Sequence, residues 1–235
     1  MCSPASFVVV RENGGMRALW FPDCSESHED IIEKAGLRER NVRGEYTFCR
    51  VEVTPVDRNY ELPLEEWRFT LDQDVTPAWW DVDKAEKCCR VALAEWAKAK
   101  IVRRGETRES ITEGKHLTYV GGTVNRIDGG TVERINGGTV NRIDGGTVER
   151  INGGTVNRIN GGTVEYIYGG TVNRIEGGTV ECINGGTVER INGGTVVTYT
   201  DTITPQLLTG PQAVLINRSG DTPVCTVGPP KKESA

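Results

Sequence analysis

The sequence predicts an α+β N-terminal domain followed by an all-β parallel β-solenoid (β-helix) of octapeptide repeats. Three observations predict it. Residues 121–196 read as nine octads of the form GGTVxxIx and the start of a tenth, with Gly, Gly, Thr, Val and the seventh-position Ile invariant. The five tryptophans (Trp20, Trp67, Trp79, Trp80 and Trp96) all precede residue 100, so an aromatic core belongs to the first half and not to the repeats. Helix-period signals are confined to that same half. The expected boundaries are 1–105 for the α+β head, 106–120 for a linker or leading coil, 121–200 for the solenoid, 201–228 for a C-terminal cap and 229–235 for a disordered tail.

In the head, two β-prone runs, 7–11 and 16–21, flank Glu12-Asn13-Gly14-Gly15. Asn-Gly tolerates positive φ at both turn positions, which predicts a hairpin. Ser27 suits an N-cap, Glu29 and Asp30 fill a first helical turn, and Gly36 suits the left-handed position after a short helix. Residues 46–53 alternate, with Thr47, Cys49, Val51 and Val53 the more apolar set, as a half-buried strand requires. A further strand is expected over 67–71. The clearest helix begins at Asp83, whose spacing to Glu86 is that of a capping box with Asp in the cap position. Behind it Ala85, Cys89, Ala92, Trp96 and Ala99 fall on one face, and Lys98, Lys100, Arg103 and Arg104 gather at the C-terminal end.

The octads must stack in parallel. An antiparallel meander turning at Asn136-Gly137 would set Ile135 against Gly138 and Glu133 against Val140, leaving no apolar face. Parallel stacking in register lays Val on Val and Ile on Ile, with the glycine pairs at corners. The fifth position alternates Asn and Glu from Asn125 to Glu181, a sixteen-residue period that favours two octads per coil. That choice stacks glutamates about 4.8 Å apart, whereas three octads per coil would set Asn over Glu on two faces. Val and Ile are three residues apart, so a bend between them is also required. After the octads, 197–204 continue β-like. Residues 213–216 and 223–227 then flank Asn217-Arg218-Ser219-Gly220-Asp221 as a hairpin that would cap the last apolar layer.

Composition limits the function classes. The net charge of −5 argues against a general nucleic-acid binder. No apolar run approaches the ~20 residues of a membrane span, and the first residues lack the pattern of a signal peptide. Seven cysteines without a CxxC spacing read as reduced thiols in a cytoplasmic protein. Across residues 121–196, seven Arg face eight Asp plus Glu, far from the acidity of a DNA mimic. Asp occurs in only two octads, Asp128 and Asp144, which excludes a calcium-binding β-roll.

Candidate chemistry is sparse. His28, beside Cys24 and among Ser25, Ser27, Glu29 and Asp30, reads as a surface residue of a first helical turn. Asp72, Asp74, Asp81 and Asp83 read as a helix start and solvated loop, and Trp79-Trp80 as core packing with a binding platform as the alternative. No catalytic residue, cofactor or metal ligand is assigned. The candidate interaction surface is Arg126, Arg134, Arg142, Arg150, Arg158, Glu133 and Glu149 on the repeats, with Trp79 and Trp80 on the head. The sixth-position Arg column is interrupted by Tyr166 and Cys182, and the fifth-position glutamates are expected to neutralise much of it.

Ile127-Asp128-Gly129 and its copies resemble the V-x-G-x-x-x-x-x octads of phage needle and type VI spike proteins. That resemblance implies a β-helix intertwined from three chains, hence a virion component and a homotrimer. The chain as a whole resembles uncharacterised bacterial and phage proteins with a small α+β head and a single-chain short-repeat solenoid. The residues carrying this are Ser27-His28-Glu29-Asp30-Ile31-Ile32, Leu62-Pro63-Leu64-Glu65-Glu66-Trp67, Pro77-Ala78-Trp79-Trp80 and the 83–96 helix. It implies architecture and a phage or mobile-element origin. Three readings follow: a non-enzymatic scaffold or docking rod for a protein partner, the trimeric spike component, and an enzyme of unrecognised type in the head.

Overall fold

The computed structural model describes residues 4–230, so Cys2 and residues 231–235 of the expected tail lie outside the described residues. The chain forms two compact units, Met1–Ile101 and Val102–Ala235.

The first unit is the α+β head. Strands β1 (Ser6–Glu12) and β2 (Gly15–Leu19) form the expected hairpin, with Asn13 and Gly14 both at positive φ (49° and 79°). Helix α1 (His28–Lys34) is followed by β3 (Phe48–Thr54), β4 (Arg68–Leu71) and helix α2 (Val82–Lys100). The sheet order is β2-β1-β3-β4, antiparallel throughout. Strand alternation gives it two buried faces. Ile31 of α1 packs with Val8 and Phe48 on one, while Phe7, Val9, Cys49, Val51 and Val53 are buried on the other. Tyr60, Trp67 and Trp96 meet edge to face, with ring centroids 5.8 and 5.9 Å apart, and form the aromatic part of the core.

Two expectations for the head are corrected. The cap of α2 is Asp81, not Asp83: its carboxylate accepts from the Lys84 backbone N–H at 3.2 Å, and Asp83 lies inside the first turn. The helix therefore starts one residue before the expected cap, at the exposed Val82. His28 is not a surface residue either. It is 1% exposed, because the first turn of α1 lies against β3 and its ring reaches the Val51 carbonyl.

The second unit is a parallel β-solenoid of about seven turns. Each Thr and Val pairs with the Thr and Val sixteen residues on, as in Thr131↔Thr147 and Val140↔Val156. One coil is therefore two octads of one chain. Residues 106–120 carry its leading strands: Thr107–Ile111 pairs with Thr123–Ile127, and His116–Leu117 pairs with Thr131–Ile135. Every octad Ile, and every octad Val but Val188 (3%), has zero exposure, so each coil points two Val and two Ile inward. The pairing skips the fifth position, Glu133 for example, and there the chain bends so that Val132 and Ile135 both face the core. The glycine pairs make the other corners. A Cβ on Gly146, at φ 73°, would lie 2.5 Å from the Gly130 carbonyl oxygen of the coil before. At the end, Leu208–Asn217 joins the stack and folds back antiparallel on Val224–Val227, with Ile216 opposite Cys225. This is the expected hairpin after the octads.

Candidate functional site

The sixteen-residue coil sorts the octads into two faces. One contains the strands Thr123–Ile127, Thr139–Ile143, Thr155–Val156, Thr171–Val172 and Thr187–Val188. The other contains Thr131–Ile135, Thr147–Ile151, Thr163–Ile167 and Thr179–Ile183. Identical positions of alternate octads therefore lie above one another.

On the first face the fifth position builds an amide ladder. Asn141 donates to Asn125 at 2.8 Å, Asn157 to Asn141 at 2.8 Å, and Asn173 to Asn157 at 3.0 Å. Its direction has a chemical cause. Asn125 donates to Glu109 at 2.9 Å, and a carboxylate can only accept, so every amide above points its N–H₂ the same way. Beside the ladder, Arg126, Arg142, Arg158, Arg174 and Arg190 form one uninterrupted column.

The interruptions read from the sequence fall on the other face, where Arg134 and Arg150 are followed by Tyr166 and Cys182. The expected neutralisation by fifth-position glutamates also changes. Glu133 and Glu149 share the second face with Arg134 and Arg150, while Arg126, Arg142 and Arg158 stand among asparagines. Their counter-charges are the eighth-position acids instead: Arg126 bonds Asp128 at 2.9 Å, Arg142 bonds Asp144 at 2.7 Å, and Arg174 lies 3.4 Å from Glu176. Where the eighth position is Asn160 or Asn192, that partner is missing. Arg158 and Arg190 are exposed and, among the described residues, form no ion pair. They border a surface hollow of about 340 Å³ lined also by Asn157, Asn173, Arg174 and Glu189.

The second face is a carboxylate column of Glu133, Glu149, Glu165 and Glu181. His116 meets Glu133 at 2.5 Å at its lower end. Burial, then the charges of Glu133 and Glu165, push the Glu149 carboxyl above its ordinary range, against weaker opposition from His116 and Arg150. Above them Tyr166 and Tyr168 stack, with centroids 5.6 Å apart and planes within 6°, and both are exposed.

In the head, Trp79 and Trp80 are half-buried and tilted at 58°, with centroids 6.4 Å apart, and neither belongs to the aromatic core. Trp79 lines an open groove of about 660 Å³ with Arg11, Met16, Tyr46, Pro77 and Lys84. The four candidate aspartates do not converge: Asp81 caps α2, while Asp72 faces His28 at 3.3 Å. Sequence reasoning includes Arg174 and Arg190 in the Arg column but misses the ladder asparagines as members of the repeat surface. Their sixteen-residue spacing was the available signal.

No family model matches this chain, and no curated protein or solved structure is significantly similar to it. The site's chemistry rests on the geometry of the two faces. Among the described residues, no helix is long and apolar enough to cross a membrane.

Proposed function

We propose that the chain is a non-enzymatic scaffold whose solenoid is a rigid rod that docks an acidic segment of a protein partner. The observation that carries this reading is the column Arg126, Arg142, Arg158, Arg174 and Arg190, two of whose members form no ion pair among the described residues. The coil spacing of about 4.8 Å repeats a guanidinium along a backbone held by continuous hydrogen bonding, so little ordering cost attends binding. Guanidiniums pair with carboxylates through parallel N–H···O bonds, which suits them to Asp and Glu side chains. The half-buried Trp79 groove supplies the head with a second contact surface. The core of each coil closes within one chain, which supports a rod that acts as a monomer. The octads' resemblance to phage repeats supports a phage or mobile-element origin for that rod, and we propose that it acts in the cytoplasm.

The test uses a labelled oligo-glutamate peptide and fluorescence anisotropy. Binding that weakens with salt, and weakens at least tenfold more in the double variant R158E/R190E, is the expected outcome. Peptide binding unchanged by that variant would overturn the reading. A solution mass of three chains would favour the intertwined spike component instead, and substrate turnover by the purified chain would favour an enzyme.

A further inference from the structure

His28 opens α1 and is almost wholly enclosed, with 1% of its surface exposed. Its Nε2 lies 3.1 Å from the Val51 carbonyl oxygen, and its Nδ1 lies 3.3 Å from Asp72 Oδ2. A carbonyl only accepts hydrogen bonds, so Nε2 carries the hydrogen. That leaves Nδ1 turned toward the Asp72 carboxylate.

A third ligand is present. Glu52 offers a carboxylate oxygen, and the ligand atoms of His28, Glu52 and Asp72 all lie within 4.8 Å of one another. They come from three separate elements that the fold holds in register. Glu52 sits opposite Thr70 in the β3–β4 pairing, and the Asp72 N–H donates to the Arg50 carbonyl at 2.9 Å. The Val51 carbonyl has the role of an outer-shell acceptor, which fixes the tautomer and orientation of a metal-bound imidazole. We propose that His28, Glu52 and Asp72 form a site for a first-row divalent cation. One imidazole and two carboxylates select the Mn²⁺, Fe²⁺ and Zn²⁺ class over Ca²⁺, which takes six to eight oxygens. Asp72 is half-exposed, so water completes the coordination sphere from that side. The cation would tie the first turn of α1 to β3 and to the residue after β4.

The deciding measurement is a Mn²⁺ titration of the full chain followed by the electron paramagnetic resonance signal of the free ion. Mn²⁺ is chosen because the free thiols of Cys24, Cys88 and Cys225 bind it poorly compared with Zn²⁺. The expected result is one bound equivalent per chain, with affinity reduced at least tenfold in D72N and in E52Q. Circular dichroism establishes that the variants fold, and Asp72 is exposed enough for its substitution to leave the core intact. Equal Mn²⁺ uptake by wild type and both variants would overturn the proposal. So would a chain that binds no Mn²⁺.

Discussion

The two faces of the solenoid share Gly, Gly, Thr, Val and Ile, yet they differ in what stacks upon itself. On one, amides stack and each amide is both donor and acceptor, so repetition satisfies its own hydrogen bonds. On the other, carboxylates stack and each is an acceptor only, so repetition accumulates charge. A coil of two octads places every residue above its own equivalent. The character of a face is therefore set by whether one residue type is compatible with a copy of itself about 4.8 Å away. Asparagine is. Glutamate is tolerated through partial solvent exposure and the His116 contact at the column's lower end.

What both faces share should be the most sensitive to substitution. Gly162 has φ 74°, and a Cβ there would meet the Gly146 carbonyl oxygen at 2.6 Å. Gly162→Ala combines left-handed strain with a backbone clash that no side-chain rotation relieves, and should destabilise the rod by about 3 kcal/mol. Gly137 is the contrast. Its conformation is ordinary and nothing lies within 4 Å of a Cβ placed on it, so Gly137→Ala should cost under about 1 kcal/mol. Urea unfolding of both variants checks the difference, and equal losses would mean that corner crowding does not govern the coil.

The next effect belongs to the amide face alone. Asn157 donates to Asn141 and accepts from Asn173. Asn157→Asp keeps the shape and the acceptor but sets a carboxylate oxygen against the Asn141 carbonyl oxygen. Reversing Asn141 offers no relief, because its own N–H₂ is committed down the chain of amides that ends on Glu109. The expected loss is about 1–2 kcal/mol at pH 7, read as a shift in urea midpoint. If the loss is absent, the asparagines do not act as a ladder.

Much of this was legible in the residues, and what was not has a physical reason. Invariant Val and Ile predicted parallel columns because only like-on-like stacking gives an apolar interior, and each Val and Ile is indeed buried. The sixteen-residue alternation pointed to the coil length, but two octads per coil required stacked glutamates, whose tolerance depends on burial that a sequence does not display. Splitting Arg126 from Arg134 onto separate faces follows only once that length is known. His28 was misread because a polar residue at a helix start looks solvated, and its burial comes from β3, remote in sequence. The cap of α2 was placed two residues late because Asp81 and Asp83 offer the same chemistry and only backbone geometry separates them.

The smallest expected effect isolates the carboxylate face. The Glu149 carboxyl is held above its ordinary value of 4.5 by burial, with Glu133 and Glu165 adding to the shift. A carboxyl raised in the folded state favours its protonated form there. It is therefore tolerated without penalty below the ordinary value, and stability falls as pH rises through the raised one. Glu149→Gln keeps the volume and removes the titration. Its advantage over the wild type should be near zero at pH 4 and grow to no more than about 1 kcal/mol at pH 7, since the column is partly open to water. Urea midpoints measured at the two pH values give the comparison directly. An equal shift at both would mean that volume or hydrogen bonding, and not stacked charge, distinguishes this face from its amide counterpart.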